Sequence, residues 1–284
     1  MKVVIPAAGL GSRFTEKGIT TPKPLIEILG KPMVKWAVDS LPFVKPSDLI
    51  FVIRKEHADK HQLDKKLREI FSPEIRVIVI DYVTEGAACT VLLAKEFINS
   101  GEPLIVSDCD HYFRNKAYNK LVTQTPRDVK GVIPVFKAEG VKWSFTKFDK
   151  SHVVSQVAEK VRISDYANIG GYFFAKGSDF VSAAEEMVGK KMKIKSEYYV
   201  APVYERLLAR NFKIMAAVCE EVWNVRNADA FLSMLKTARC GLIKNTPFLT
   251  VLRNIWFLTL ARSGFDMSLP YFPICHHAAE FPPP

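Results

Sequence analysis

The chain has 284 residues, 48% of them apolar and 25% charged, which is the usage of an ordinary globular protein and excludes a disordered or fibrous one. That length suits one large α/β domain with an appendage, or two modest domains. A net charge of +10 suits phosphate-bearing ligands, a polyanion or an anionic membrane surface, but the basic residues are scattered among acids, as in Asp64-Lys65-Lys66-Leu67-Arg68-Glu69, and nucleic acid is not an expected partner.

Met1-Lys2-Val3-Val4-Ile5-Pro6 begins with a basic residue and an apolar run, but Pro6 and the glycines at 9 and 11 stop that run too early for a secretory signal. It reads as a first strand, and the expected location is cytoplasmic. Short apolar runs then alternate with segments of helical period, the pattern of a mainly parallel sheet covered by helices. Strands are expected at 3–6, 49–54, 75–81 and 104–107, and helices beginning at Pro32, His57 and Gly86. Past Asp110, the stretches 131–137, 143–149, 153–158 and 169–175 read as strands of a more antiparallel lobe on the same sheet. Helices follow at 178–188 and 197–209.

From about Thr237 the chain becomes strongly apolar (Phe248, Leu249, Ile255, Trp256, Phe257), then Pro-rich. Arg253, Asn254 and a length below the ~20 residues of a span argue against a transmembrane segment. The expected organisation is a domain over 1–236 and an extension over 237–284, helical then irregular, packed on the domain or on a second subunit, so a homo-oligomer is among the expectations. Cys89, Cys109, Cys219, Cys240 and Cys275 are odd in number and form no CxxC pair, which suits reduced buried thiols.

The chemistry starts after the first strand, at Ala7-Ala8-Gly9-Leu10-Gly11-Ser12-Arg13-Phe14, followed by Thr21-Pro22-Lys23-Pro24-Leu25. Such glycines let backbone N–H groups approach an anion closely. No Gly-Lys-Ser/Thr follows, as a P-loop requires, and Phe14 stands where a dinucleotide fold needs its third glycine. What remains is a loop presenting the Arg13 guanidinium and the Lys23 ammonium to one phosphate group, as phosphoryl and nucleotidyl transfer need. Farther on, Ser107-Asp108-Cys109-Asp110-His111 puts two acids at the carboxyl end of an apolar strand, where open α/β sheets bind ligands. Residues two apart on an extended chain face the same way, and their hard oxygens suit Mg²⁺. Asp108 has an alternative reading as a loop cap, and His111 is not expected as a ligand because Mg²⁺ prefers oxygen. His57 and His61 lack a third ligand and read as a solvated helix face.

These strings resemble the sugar-phosphate nucleotidylyltransferase family, and the likeness continues through Gly30-Lys31-Pro32-Met33, Glu85-Gly86-Ala87-Ala88, Glu159-Lys160, Asn168-Ile169-Gly170-Gly171-Tyr172 and Glu197-Tyr198, over roughly residues 1 to 235. The resemblance implies a Rossmann-like α/β fold of the nucleotide-diphospho-sugar transferase type, with a mainly parallel mixed sheet flanked by helices and an antiparallel acceptor lobe. It implies that Arg13 and Lys23 bind the triphosphate and that Asp110 holds Mg²⁺. Ala7, Ala8, Gly9, Gly11 and Asp108 would border the nucleotide, and Glu85, Gly86 and Ala87 fall where the family reads the base. Glu85 and Ala87 depart from the family's usual Gln and Gly-Thr-Ala. The family's second metal aspartate follows a tryptophan; here Asn224 follows Trp223 and would offer only a neutral carbonyl oxygen. Glu159, Lys160, Asn168, Gly170 and Glu197 match its acceptor contacts, with Arg162 as a spare phosphate ligand.

The activity so implied joins the NMP of an NTP to a sugar phosphate, releasing pyrophosphate and giving a nucleotide-sugar for polysaccharide or glycan synthesis. Three alternatives stay open on the sequence: a cytidylyltransferase acting on phosphocholine or another small phosphate, a glycosyltransferase of the same architecture using Asp108-x-Asp110, and a regulator that only binds nucleotide.

Overall fold

Val3, Val4 and Ile5 are wholly buried because their strand, β1 (Lys2–Ala7), lies inside a sheet covered on both faces. The computed structural model describes residues 1–224 apart from Lys17 and Leu29, and only the backbone of Arg13 and Asn224. The expected extension over 237–284, its boundary at 236, and Cys240 and Cys275 lie outside the described residues. From β1 the chain continues through α1 (Ser12–Thr15), the short pair β2 (Glu27–Ile28) and β3 (Lys31–Pro32), α2 (Met33–Asp39), β4 (Leu49–Arg54), α3 (Lys55–His61), α4 (Leu63–Ile70) and β5 (Arg76–Ile80). Next come α5 (Ala87–Leu92), α6 (Lys95–Ile98), β6 (Leu104–Ser107), β7 (His111–Arg114), α7 (Lys116–Thr123), β8 (Val129–Lys137), β9 (Ser144–Phe148) and β10 (Val154–Glu159). The described part closes with β11 (Tyr166–Asn168), β12 (Gly171–Phe174), α8 (Gly177–Gly189), α9 (Val203–Ala209), β13 (Lys213–Val218) and β14 (Glu221–Asn224).

The main sheet runs β10-β9-β11-β8-β12-β6-β1-β4-β5, with β13 on β8. β6, β1, β4 and β5 are parallel; β12, β11, β9 and β10 pair antiparallel and extend the same sheet into the expected lobe. Side chains alternate between two apolar layers, as a pleated strand requires. Val4, Ile50, Val52 and Val106 face a core shared with Val91, Phe180, Tyr204 and Leu207. Val3, Ile5, Phe51 and Ile105 face one shared with Val34, Leu63, Leu67 and Tyr118. Each such buried aliphatic or Phe side chain contributes about 1.5–3 kcal/mol relative to exposure. Tyr118 and Tyr204 donate their phenols to the carbonyls of Gly171 and Phe173, at 2.8 and 2.7 Å, and burial pushes both phenol pKa values well up.

Two departures from expectation bear on the site. The helix expected over 197–209 begins only at Val203, with Pro202 as its cap. The proline ring disfavours helical geometry in the residue before it, and Tyr198 is engaged elsewhere: its N–H donates to Glu85 O (2.8 Å) and its carbonyl accepts from Ala88 N–H (3.0 Å). A Cβ at Gly86 would stand 2.5 Å from the backbone N and O of Tyr198, so only glycine fits in this seam. The strand expected over 169–175 is shortened to β12, and a bulge separates it from β11, which was not expected. Asn168 faces Val135 and Phe173 faces Val132, five steps against three, and the surplus falls at Ile169 and Gly170. Among the described residues no helix is long and apolar enough to cross a membrane.

Candidate active site

The chain goes from β1 outward to β4 and β5, then returns to β6 on the other side of β1, so the sheet order reverses between β1 and β6. At such a switch point the loops leaving the two carboxyl ends diverge and open a crevice. The glycine loop leaves β1 there, and Asp108 to His111 leave β6. Gly11 has φ of +65°, a left-handed conformation that turns the loop into α1. Pro22 and Pro24 frame a short 3₁₀ turn that sets Lys23. The Lys23 ammonium reaches across to Asp110, Nζ to Oδ2 2.6 Å, and Asp110 is 3% exposed. Lys23 and Asp110 thus meet in one crevice; the side chain of Arg13 lies outside the described residues.

Asp108, Asp110 and His111 offer ligand atoms within 4.8 Å of one another. His111, set aside on the sequence, thus belongs to the cluster. The backbone of Asn224 is the strand partner of His111, which puts the expected second metal position one residue from Asp110; its side chain lies outside the described residues. Gly170 lies directly behind Asp108: its carbonyl accepts the Asp108 N–H (2.9 Å), and a Cβ there would stand 2.4 Å from Asp108 Oδ2. Two converging carboxylates, one held in a cradle that a methyl group would fill, are a donor set suited to a hard divalent cation.

Two cavities meet here and share Pro6, Lys23 and Cys109 in their walls. The smaller, about 140 Å³, is the loop pocket, bordered by Ala7, Gly9, Gly11 and Lys23. The larger, about 300 Å³, holds Asp108, Asp110, Ala87, Glu159, Lys160, Asn168 and Glu197, residues far apart in the chain that the resemblance grouped around two substrates. Glu159 is 6% exposed and accepts from Ser144 Oγ. Asn168 accepts from Thr146 Oγ1 at 2.6 Å, while its Nδ2, on a side chain 4% exposed, has no partner among the described residues. A buried donor on a cleft wall is a place for a ligand oxygen.

Other expected residues lie elsewhere. Ala8 is buried in the core layer of α5. Glu85 is exposed and ion-paired with Lys193 at 2.7 Å. Gly86 and Gly170 act by letting Tyr198 and Asp108 come close rather than by lining a cavity. Arg162 is corrected: it pairs with Asp165 at 2.8 Å on the surface and lines neither cavity. His57 is corrected as well. It lines the loop pocket, because β4 lies beside β1 and α3 begins where β4 ends. Burial, and then the Arg54 charge, pushes its pKa down.

Lys142, Trp143, Ser144 and Tyr199 line the larger cleft and were missed. Trp143 packs edge-on against Phe136 (5.2 Å), and Lys160 donates to the Tyr199 hydroxyl with its ammonium 4.2 Å from that ring. Cys109, wedged between the two acids, is inert at neutral pH because burial pushes its pKa up to about 11.

The UTP–glucose-1-phosphate uridylyltransferase 2 of Staphylococcus saprophyticus is 25% identical over 231 residues, covering 68% of this chain and 78% of that protein. The choline-phosphate cytidylyltransferase of Streptococcus pneumoniae is 30% identical over 128 residues, 44% of this chain and 52% of that protein. The crystal structure of a nucleoside-diphosphate-sugar pyrophosphorylase from Vibrio cholerae superposes with a TM-score of 0.70 at 26% identity, covering 82% of this chain and 99% of that one. With the switch-point crevice in place and the nucleotidyl transferase family pattern matching residues 2–223, the chain belongs to the nucleotidyl transferase family.

Proposed function

We propose that this nucleotidyltransferase joins the NMP of an NTP to a small phosphorylated acceptor, first of all a sugar phosphate, in the cytoplasm and with Mg²⁺, giving a nucleotide-sugar for polysaccharide or glycan synthesis. The transferase domain would be 1–236 and the extension 237–284. The observation that carries this reading is Lys23, which lines both cavities and is paired with Asp110. An acceptor phosphate oxygen attacks the α-phosphorus in line, the bond to the β-phosphate oxygen breaks, and pyrophosphate leaves without a covalent enzyme intermediate. The nucleophile is already ionised at neutral pH, so no general base is needed. Lys23, with Arg13, offsets the charge that builds on the phosphates. Asp110 and Asp108 would hold the metal, which when bound supplies Lewis-acid charge neutralisation to them. Asn168 and Glu159 orient the acceptor.

A second reading is favoured by one observation: the acceptor cleft carries the rings of Trp143, Tyr172 and Tyr199 together with the carboxylates of Glu159 and Glu197. Aromatic faces and carboxylates attract a quaternary ammonium, so a CTP-dependent enzyme acting on phosphocholine or a similar amino-alcohol phosphate also fits. Pyrophosphate release with each of CTP, UTP, GTP, ATP and dTTP against sugar phosphates and amino-alcohol phosphates separates the two. Turnover with a hexose 1-phosphate supports the first and turnover with phosphocholine the second. Silence throughout rejects both and leaves the glycosyltransferase or the binding-only regulator.

A further inference from the structure

The loop pocket has a composition of its own. Among the described residues no Asp or Glu lines it; its polar groups are the glycine-loop backbone, the hydroxyls of Thr15, Thr20 and Thr21, the Lys23 ammonium and the imidazole of His57. An acid-free pocket opening from a glycine loop beside a lysine suits a polyanion. His57 lines the pocket, and its Nδ1 is buried with no hydrogen-bond partner among the described residues. The charged and titratable groups around the ring are Arg54 at the end of β4, Glu56 and His61 on α3, and Lys23 and Cys109 among the residues lining the same pocket. Glu56 is already bound to Arg54 and to Lys60 (3.0 Å), so it does little to neutralise a charge on His57. Burial and the Arg54 charge favour the neutral ring, whereas a polyanion in the pocket favours the imidazolium.

We propose that His57 is a binding residue for the leaving pyrophosphate, its imidazole taking up a proton as the polyanion fills the loop pocket. This rests on the transferase reading above. The bond gained is a charge-assisted one, of the kind that histidine can switch within the physiological range. Product is then held more firmly at mildly acidic pH and released more readily at alkaline pH, so forward turnover gains as pH rises through the histidine range.

The test uses the full chain, inorganic pyrophosphate with Mg²⁺ as the probe, and calorimetry from pH 5.5 to 8 in two buffers of different ionisation enthalpy. Pyrophosphate itself titrates in this range, so the quantity read is the difference between wild type and variant at each pH. Relative to wild type, His57→Gln and His57→Ala are expected to bind roughly tenfold more weakly at pH 6, to take up fewer protons, and to approach wild type at pH 8. Product inhibition by pyrophosphate should weaken in parallel while KM for the acceptor stays unchanged. His61→Gln, one turn along α3 and outside the pocket, should match wild type. Pyrophosphate binding by both folded His57 variants within twofold of wild type at pH 6, with the same proton count, overturns the proposal alone. A wild-type protein that binds no pyrophosphate overturns it together with the transferase reading.

Discussion

Replacing Gly170 by alanine tests how the crevice holds its carboxylates. The added Cβ would lie 2.4 Å from Asp108 Oδ2 and 2.8 Å from its Cγ, and the backbone has φ of +88°. The hydrogen bond from Asp108 N–H to Gly170 O, 2.9 Å, ties the two main chains together, so the carboxylate has to move. A left-handed conformation costs a non-glycine residue about 1–2 kcal/mol, and overpacking adds about 1–3 kcal/mol, giving ~2–5 kcal/mol in all. Urea unfolding should show this as a lower midpoint at constant slope, and the Mg²⁺ concentration for half-maximal turnover should rise as Asp108 is displaced. The decisive comparison adds Asp108→Ala. Removing the obstructing oxygen relieves the clash, so the double variant should be more stable than the sum of the single changes predicts, by ~1–3 kcal/mol. Additivity within ~0.5 kcal/mol would refute the cradle.

Lys23→Ala removes the cation shared by both cavities and is expected to lower kcat by ~10²–10³, measured as pyrophosphate release at saturating substrates. Lys195 and Ser196 both have positive φ (+47° and +70°) in the two-residue turn that joins Ile194 to Glu197, a geometry that favours Asn-Gly; Lys195→Asn with Ser196→Gly should raise stability by ~0.5–2 kcal/mol in thermal unfolding. Asp39 carries a pKa that burial raises but that hydrogen bonds from Lys31 and Lys35 bring net below the ordinary aspartate value. Its stabilising contribution is thus present above about pH 3.8 and is lost as pH falls through the lowered value. Asp39→Asn should therefore cost ~1 kcal/mol at pH 7 and progressively less in acid titrations followed by circular dichroism.

The buried parallel strands were the most legible part of the chain. Expected strands 49–54 and 104–107 coincide with β4 and β6, whose uninterrupted apolar runs reflect burial on both faces. The placement of the glycine loop and of Asp110 was legible because each follows the carboxyl end of an apolar strand. His57 was not: helical spacing places His57 and His61 on one face, but only the neighbouring strand determines that His57 meets the glycine loop. Trp143 and Tyr199 read as ordinary strand and helix aromatics, and nothing local brings together two residues so far apart in the chain. The pair β7 and β14 was missed for the same reason, since His111 finds Asn224 across more than a hundred residues. The helix misplaced at 197 shows tertiary hydrogen bonds to Glu85 and Ala88 overriding a local apolar pattern.

The seam at Tyr198 ties the segment carrying Glu85 and Ala87 to the segment carrying Glu197 and Tyr199 through hydrogen bonds between peptide groups. Every amino acid but proline possesses both groups, so these hydrogen bonds ask nothing of the side chains at positions 87, 197 and 199; they constrain Gly86. The side chains at Ala87 and Tyr199, both in the wall of the larger cleft, can therefore change while the joint between the two segments stays intact.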